Sequence, residues 1–398
     1  AHDFQSLRQE MIDLSSDTAT RPTQAMREAI MRAEVGDEQR LEDPTVLRLI
    51  VAVCQKLDKP AGLFLPSGTM CNLIAVKNHT QMGDACLQQA LSIAREELLP
   101  RFGLPFCKDA EGNLHEAAFV IIGQGKLGGM ELNYHSDLDI IFLYEDEGET
   151  RPVEGTEPDR FKQQGNHQYF ARLAQRIISI LTLMTKEGYV YQIDTRLRPS
   201  GNQGPLVTSL PAYREYHETS AAPWERQALI KARVAAGSEQ LIESYNCLTA
   251  EIVYERPLPE NLQEEIYRLR QRMEKELGKE TGLQINIKTG RGGMVDVEFL
   301  VQYLQLKHGQ QYASIRCRNT LDALTALYKE DLLPIDDYDN LTSGYKFLRR
   351  LENKLRLVHD QSINELSGDT ESLSKLAKHL GYEEGPPPPA EAFHEDYI

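Results

Sequence analysis

One apolar run in this chain carries two carboxylates, and that limits what it can become. Asp137-Leu138-Asp139 leads straight into Ile140-Ile141-Phe142-Leu143, with Leu127-Gly128-Gly129 a short way upstream. Alternate side chains of a strand face the same way, so Asp137 and Asp139 stand together while Leu138 and Ile140 point into a core. Adjacent carboxylates repel, and burial beside apolar neighbours raises the cost. A divalent cation removes that penalty. Hard oxygen ligands on one face, with a glycine pair for close backbone approach, suit Mg²⁺ carrying a nucleoside triphosphate. The plainer alternative makes Asp137 a turn residue and Asp139 a solvated one.

A second predicted strand, Tyr189 to Arg198, puts Asp194, Arg196 and Arg198 on one face and Ile193 and Leu197 on the other. Nucleotidyl transfer asks for such a set: three acidic groups for two Mg²⁺ ions, and cations for the triphosphate. Arginine binds phosphate oxygens with a planar fork, and Lys126 beside the glycine turn adds a point charge. Trp224, Lys231 and Arg233 read as one helix, either contacting nucleotide or acceptor or forming a packed and solvated face. Gly290, Gly292 and Gly293 with Arg291 read as an anion-binding loop or a plain helix start. Asp296 and Glu298 fall where a helix N-terminus favours acids. His135 reads as structural.

Charge narrows the acceptor. Lys and Arg total 44 against 60 Asp and Glu, a net charge of −16. A protein that grips a phosphate backbone usually presents a basic surface, so nucleic acid is disfavoured as partner and a protein or small molecule is favoured. No apolar run is long enough to span a bilayer, and no charged-then-apolar leader opens the chain, so the expected place is the cytoplasm. Cys54, Cys71, Cys86, Cys107, Cys247 and Cys317 form no C-x-x-C pair and read as reduced thiols rather than a disulfide frame or zinc site. The chain opens on Ala1 and stops within a helix-like segment, so both ends read as cut.

The length suggests two or three domains. Residues 1–84 form one compositional block with short helices at 25–32 and 45–57. From Ala85 the reading becomes α+β to residue 210, with a helix at 87–99, a buried strand at 117–122, a short helix starting at Gly128-Gly129, the Asp137 strand, an exposed acidic loop at 145–167 and an amphipathic helix at 169–185. Beyond Pro211 nearly everything reads as helix: 221–236, 261–277, 294–308, 320–330, 342–359, 372–380 and 390–397.

Five ordered blocks then carry a resemblance. The run from Gly123 through Lys126-Leu-Gly-Gly-Met to Ser136-Asp-Leu-Asp139 resembles the signature of the glutamine synthetase adenylyltransferase family. Asp194-Thr-Arg-Leu-Arg-Pro-Ser-Gly201, Trp224-Glu-Arg through Lys231-Ala-Arg233, and Gly292-Gly-Met-Val-Asp-Val-Glu-Phe299 are similar to further blocks. Phe347-Leu-Arg-Arg-Leu-Glu-Asn353 with His359-Asp-Gln361 is similar to its helical end. The resemblance covers about residues 85–398. It implies a DNA polymerase β-like nucleotidyltransferase core at 85–210 and a helical domain at 211–398. It also implies Asp137, Asp139 and Asp194 as catalytic, metal-binding carboxylates, with Gly128, Gly129, Lys126, Arg196 and Arg198 at the nucleotide. The implied reaction is attack of a glutamine synthetase tyrosine on the α-phosphate of ATP with Mg²⁺, under control by the PII signal protein. The glycine-rich block at 292–299 looks more like the adenylylating half of that two-halved family, although removal of AMP uses the same carboxylate chemistry. A regulatory module that binds nucleotide or PII without transfer is the alternative.

The first eighty residues resemble something else. Met11-Ile-Asp-Leu-Ser-Ser-Asp-Thr18, Thr20-Arg-Pro22, Asp43-Pro-Thr-Val46 and Leu65-Pro-Ser-Gly-Thr69 are similar to the N-terminus of low-specificity threonine aldolase, a pyridoxal-phosphate family. Ser67, Gly68 and Thr69 match its phosphate-holding turn. The Schiff-base lysine is missing, so the resemblance implies a fragment without an electron sink.

Overall fold

Side-chain caps set the first two helices. Thr23 Oγ1 accepts from the Met26 amide ahead of α1 (Gln24–Arg32), and Asp43 Oδ1 accepts from Thr45 and Val46 ahead of α2 (Pro44–Leu57). In a computed structural model, the described residues are 23–34, 43–57, 68–133, 135–154, 159–184, 191–278, 284–359, 364–367, 370–380, 382 and 385–397. They fall in two compact units, Ala1–Asn72 and Leu73–Ile398. The Met11–Thr18 block, Thr20–Pro22, Ser67, Tyr189 and the Asp360-Gln361 pair lie outside the described residues. In the first unit α1 has no buried residue.

The second unit is α+β. Helix α3 (Gly68–Phe102) runs through Asp84 and Ala85 without a break, and Leu87, Ala90, Leu91, Ala94 and Leu98 on one face are buried. Strands β1 (Leu104–Lys108), β2 (Leu114–Glu116) and β3 (Phe119–Gly123) follow, then the one-turn helix α4 (Gly125–Gly128) and the central strand β4 (Leu138–Tyr144). Strand β5 (Glu149–Arg151), helix α5 (Asn166–Leu181), and strands β6 (Ile193–Asp194) and β7 (Val207–Ser209) complete this part. Helices α6 (Leu210–Thr219) and α7 (Pro223–Ala228) lead to the last strand of the main sheet, β8 (Arg233–Gly237).

In that sheet β4 pairs antiparallel with β3, which pairs with β8. On its other edge β4 pairs in parallel with β6 near its start and with β7 near its end. The pleat of β4 divides two cores. Leu138, Ile140, Phe142 and Tyr144 pack with α3 and α5, while Ile141 and Leu143 pack with Tyr213, Leu229, Ile230 and Tyr245. Asp137 and Asp139 share the parity of the second set, so they open toward the later helices.

Those helices are α8 (Glu239–Ala250), α9 (Leu262–Met273), α10 (Met294–His308), α11 (Thr320–Lys329), α12 (Ile335–His359), α13 (Thr370–Leu380) and α14 (Pro389–Tyr397), with a two-stranded ribbon of β9 (Gln284–Asn286) and β10 (Glu365–Ser367). A third core joins α10 to α14 through Met294, Val301, Leu324, Leu351, Ala377 and Phe393.

Three expectations need correction. The stretch 145–167 is not all loop, because β5 pairs antiparallel with β1. The expected helix at 221–236 breaks into α7, a 3₁₀ turn at Leu229–Lys231 and β8. The short helix begins at Gly125 and ends at Gly128 rather than starting at the glycine pair.

Candidate active site

The start of β4 collects the acidic groups. Asp139 lies directly beside Asp194 in the parallel β4–β6 pairing, and Asp137 precedes β4 on the same face. Burial pushes the Asp139 carboxyl up to about 6, with the Asp194 charge adding to the shift and Asp137 contributing, against Lys288 and Lys126. A partly desolvated carboxylate beside two others is a donor set that a hard divalent cation satisfies, so these residues fit Mg²⁺.

Backbone geometry at Gly125 makes room for this. Its φ is +51°, and a Cβ there would stand 2.5 Å from Asp139 Oδ2, so any side chain would displace the carboxylate. The Gln124 amide donates to the Asp139 carbonyl at 2.8 Å, which ties α4 to β4. Gly128 has a different task. A Cβ on it would meet the Lys231 carbonyl at 2.0 Å, so it lets α4 pack against the chain before β8. Gly129 is buried near the Arg318 carbonyl.

The predicted second strand is only two residues long. Asp194 Oδ1 accepts from the Arg196 amide at 2.8 Å, a local turn that competes with strand pairing. The expected common face for Asp194, Arg196 and Arg198 therefore does not form. Arg196 folds back instead, its Nε 2.8 Å and Nη2 2.5 Å from Asp194 Oδ2, while its own side chain is 73% exposed. The arginine hydrogen bonds hold the Asp194 carboxyl below the usual carboxylate range, against the effect of burial. Arg198 turns away, donating to Thr195 Oγ1 and to the Thr195 and Gly204 carbonyls.

A cavity of 690 Å³ opens over these groups. Asp137, Asp139, Asp194, Arg196, Gly125 and Lys126 line one side. Trp224 and Gln227 from α7, Leu269 and Met273 from α9, and Val295 and Phe299 from α10 line the other. Gly128, Gly129 and Arg198 are not among the lining residues. Trp224 is 42% exposed, and Gln227 is buried with its Nε2 donating to Gln302 while its Oε1 has no hydrogen-bond partner.

Charges that seemed separate in the sequence are bound to one another here. Lys126 Nζ is 2.5 Å from Glu352 Oε1 on α12. Glu352 is fully buried and also meets Asn133, Arg349 and Arg356. Burial would raise its carboxyl, but Lys126, Arg349 and Arg356 outweigh that and hold it at about 2. Burial brings Lys126 down to about 7, Glu352 opposing and Arg349, Lys288 and Arg356 assisting. Lys231 is likewise buried, 2.7 Å from Glu131 and 3.5 Å from Glu298. Arg233 on β8 binds Asp84 of α3. Trp224, Lys231 and Arg233 thus face a cavity, a buried ion cluster and a helix respectively, not one helical face. Asp296 sits in the first turn of α10 and receives Arg270 at 2.6 Å. His135 is exposed with φ +49°, and Arg356 donates to its carbonyl.

Sequence reasoning missed Lys288. It sits in a turn held by Asn286 Oδ1, which accepts from the Lys288 and Thr289 amides. It lines the cavity, and its ammonium has no ion-pair partner among the described residues. No spacing marks it, since the turn reaches the site only through the fold.

Three stretches of the chain match known families. Residues 67–247 match glutamate-ammonia ligase adenylyltransferase, residues 260–398 match GlnD PII-uridylyltransferase, and residues 13–96 match beta-eliminating lyase. The last covers the aldolase-like segment and overlaps the first from 67 to 96, the stretch that α3 runs through. The chain is 36% identical over 305 residues to the bifunctional glutamine synthetase adenylyltransferase/adenylyl-removing enzyme of Nitrosococcus oceani, covering 76% of this chain and 30% of that one. The like-named enzyme of Ralstonia nicotianae is 34% identical over 323 residues, covering 76% and 33%, and that of Pseudomonas aeruginosa 34% over 301, covering 76% and 30%. The chain spans about a third of the length of the curated relatives it matches. Residues 67–247 thus resemble the glutamate-ammonia ligase adenylyltransferase family, with a lyase-like segment on their N-terminal side.

Proposed function

We propose that this chain is a cytoplasmic, Mg²⁺-dependent adenylyltransferase that moves AMP from ATP to a tyrosine of glutamine synthetase. The observation that carries the reading is the pairing of Asp139 with Asp194 across β4 and β6, with Asp137 alongside and one cavity over all three. We read the sheet as a DNA polymerase β-like core at about 85–210 and the later helices as a second domain that completes the cavity. Asp137, Asp139 and Asp194 would hold the metal, which supplies charge neutralisation at the phosphates. Gly125 keeps the backbone clear of Asp139, and Gly128 and Gly129 hold the turn that carries it.

The remaining residues have separable tasks. Arg196 pairs with Asp194, and its exposed guanidinium would be free to bind the triphosphate if that carboxylate held the metal instead. Lys288 and Lys126 add positive charge on the same side, while Arg198 braces the turn after β6. The apolar wall of Trp224, Met273, Val295 and Phe299 takes the adenine. Gln227 supports that wall, its Nε2 tied to Gln302. In the chemical step the tyrosine oxygen bonds to the α-phosphorus, the bond to pyrophosphate breaks, and the phenolic proton leaves to solvent.

A regulatory reading has one observation in its favour, the GlnD PII-uridylyltransferase match over 260–398. It fits control by PII acting through the helical part rather than loss of catalysis. Intact-mass measurement of purified glutamine synthetase incubated with this chain and MgATP tests the proposal. One AMP on a tyrosine supports it. Unmodified synthetase, with ATP demonstrably bound through quenching of Trp224, the only tryptophan, would leave a nucleotide-binding regulatory module.

A further inference from the structure

A second cluster of metal-ligand side chains lies at the opposite end of β4. Cys107 on β1 and His115 on β2 are directly paired across that antiparallel ladder. Glu145 follows the last residue of β4, and its backbone and side chain both grip Ala118: its amide donates to the Ala118 carbonyl, and its Oε2 accepts from the Ala118 amide. That fixes Oε1 toward His115 Nε2, 2.8 Å away, and the same nitrogen lies 3.4 Å from Cys107 Sγ. All three ligand atoms fall within 4.8 Å of one another. Glu145 lies six residue steps along the chain from Asp139, about 20 Å at the usual rise, so this is not part of the nucleotide cavity.

The donor types select the metal class. Thiolate with imidazole and carboxylate suits a borderline divalent ion such as Zn²⁺ and is a poor set for Mg²⁺ or Ca²⁺. Geometry agrees on the sulfur side. With ordinary Zn–S and Zn–N bonds, a tetrahedral S···N edge is about 3.5 Å, against 3.4 Å here. The N···O separation is shorter because a hydrogen bond spans it, and an entering ion would replace that bond. Cys107 forms the buried floor, at 1% exposed, while the His115 and Glu145 side chains are about a third exposed at the mouth. Asp109 and Asp146 place further negative charge nearby.

We propose that Cys107, His115 and Glu145 form a zinc-class metal site that clamps the β1–β2 hairpin to the end of β4, with a fourth position open to solvent. The scattered cysteine spacing gave no hint of it, because the ligands come from three strands. The test is titration of the chelator-treated full chain with Co²⁺, read by absorption. One equivalent should give a thiolate-to-cobalt charge-transfer band with the strong visible bands of four-coordinate cobalt, and Zn²⁺ should abolish both. Cobalt held by Asp137, Asp139 and Asp194 produces no sulfur band, so the two sites separate spectroscopically. Cys107→Ser should erase the charge-transfer band. His115→Gln, at a position about a third exposed, should weaken cobalt at least ~10-fold. A chain that shows no sulfur band, or a band that survives in Cys107→Ser, would overturn the proposal. So would unchanged cobalt affinity in folded His115→Gln, since it leaves only an ordinary His–Glu hydrogen bond beside a thiol.

Discussion

Asp139 is the residue on which stability and function pull apart. Its carboxyl titrates near 6 in the folded chain against 3.8 for an ordinary aspartate, because burial and Asp194 disfavour its charge. A raised acid means the folded state is favoured below pH 3.8 and loses that advantage as pH climbs through 6. Asp139→Asn should therefore stabilise the metal-free protein at pH 7, by up to about 2 kcal/mol, visible as a higher urea midpoint. In the proposed site the same proton would compete with Mg²⁺. Wild-type Mg²⁺ affinity should fall as pH drops below 6, by up to ~10-fold per unit, in a calorimetric titration; an affinity flat from pH 5 to 7 would contradict this assignment.

Among the elements, α4 and its entry turn set the site, and they show what the sequence could and could not reveal. The glycine-rich run and the aspartate pair were legible because strand parity and positive φ are local properties. Even so, the glycine that touches Asp139 is Gly125, not the pair at 128–129, which serves packing. Gly125→Ala should cut AMP transfer at least ~10-fold, adding about 1–2 kcal/mol of left-handed strain to displacement of the carboxylate. Gly129→Ala, whose nearest contacts are 3.2 Å or more and whose φ is −73°, should cost less in the same assay. Equal losses would refute the distinction. Strand β6 stops at Asp194 because an aspartate side chain can satisfy a backbone amide two residues on, which periodicity does not register. The expected helix over 221–236 fails for a related reason: the small apolar residues of a partly buried strand packed on both faces mimic helical spacing.

At the scale of the whole molecule, the buried ions join the sheet to the helices. Glu352 on α12 holds Lys126 and Asn133 from the nucleotide side, over 200 residues away in sequence. Such partnerships cannot be inferred from spacing, and neither could Lys288 or Gln227, which only the folded chain brings to the cavity. Glu352 has its carboxyl lowered from 4.5 to about 2. A depressed acid contributes stability above its unfolded value that is lost as pH falls from about 4.5 toward 2. Glu352→Ala leaves Arg349 and Arg356 without their common anion and pushes Lys126 toward its neutral form, and should cost about 3–5 kcal/mol at pH 7, a loss that shrinks with acidification. Chemical denaturation at pH 7 and pH 3 checks both parts; a cost independent of pH would mean that the charge contributes nothing.

The central claim is that Asp137, Asp139 and Asp194 act together in AMP transfer. Its most direct measurement is transfer of label from α-phosphate-labelled ATP to purified glutamine synthetase with Mg²⁺, comparing the chain with Asp194→Asn. The account predicts labelling by the wild type and at least ~100-fold less by the variant, with ATP still quenching Trp224 in both. Equal labelling by the folded variant would contradict it.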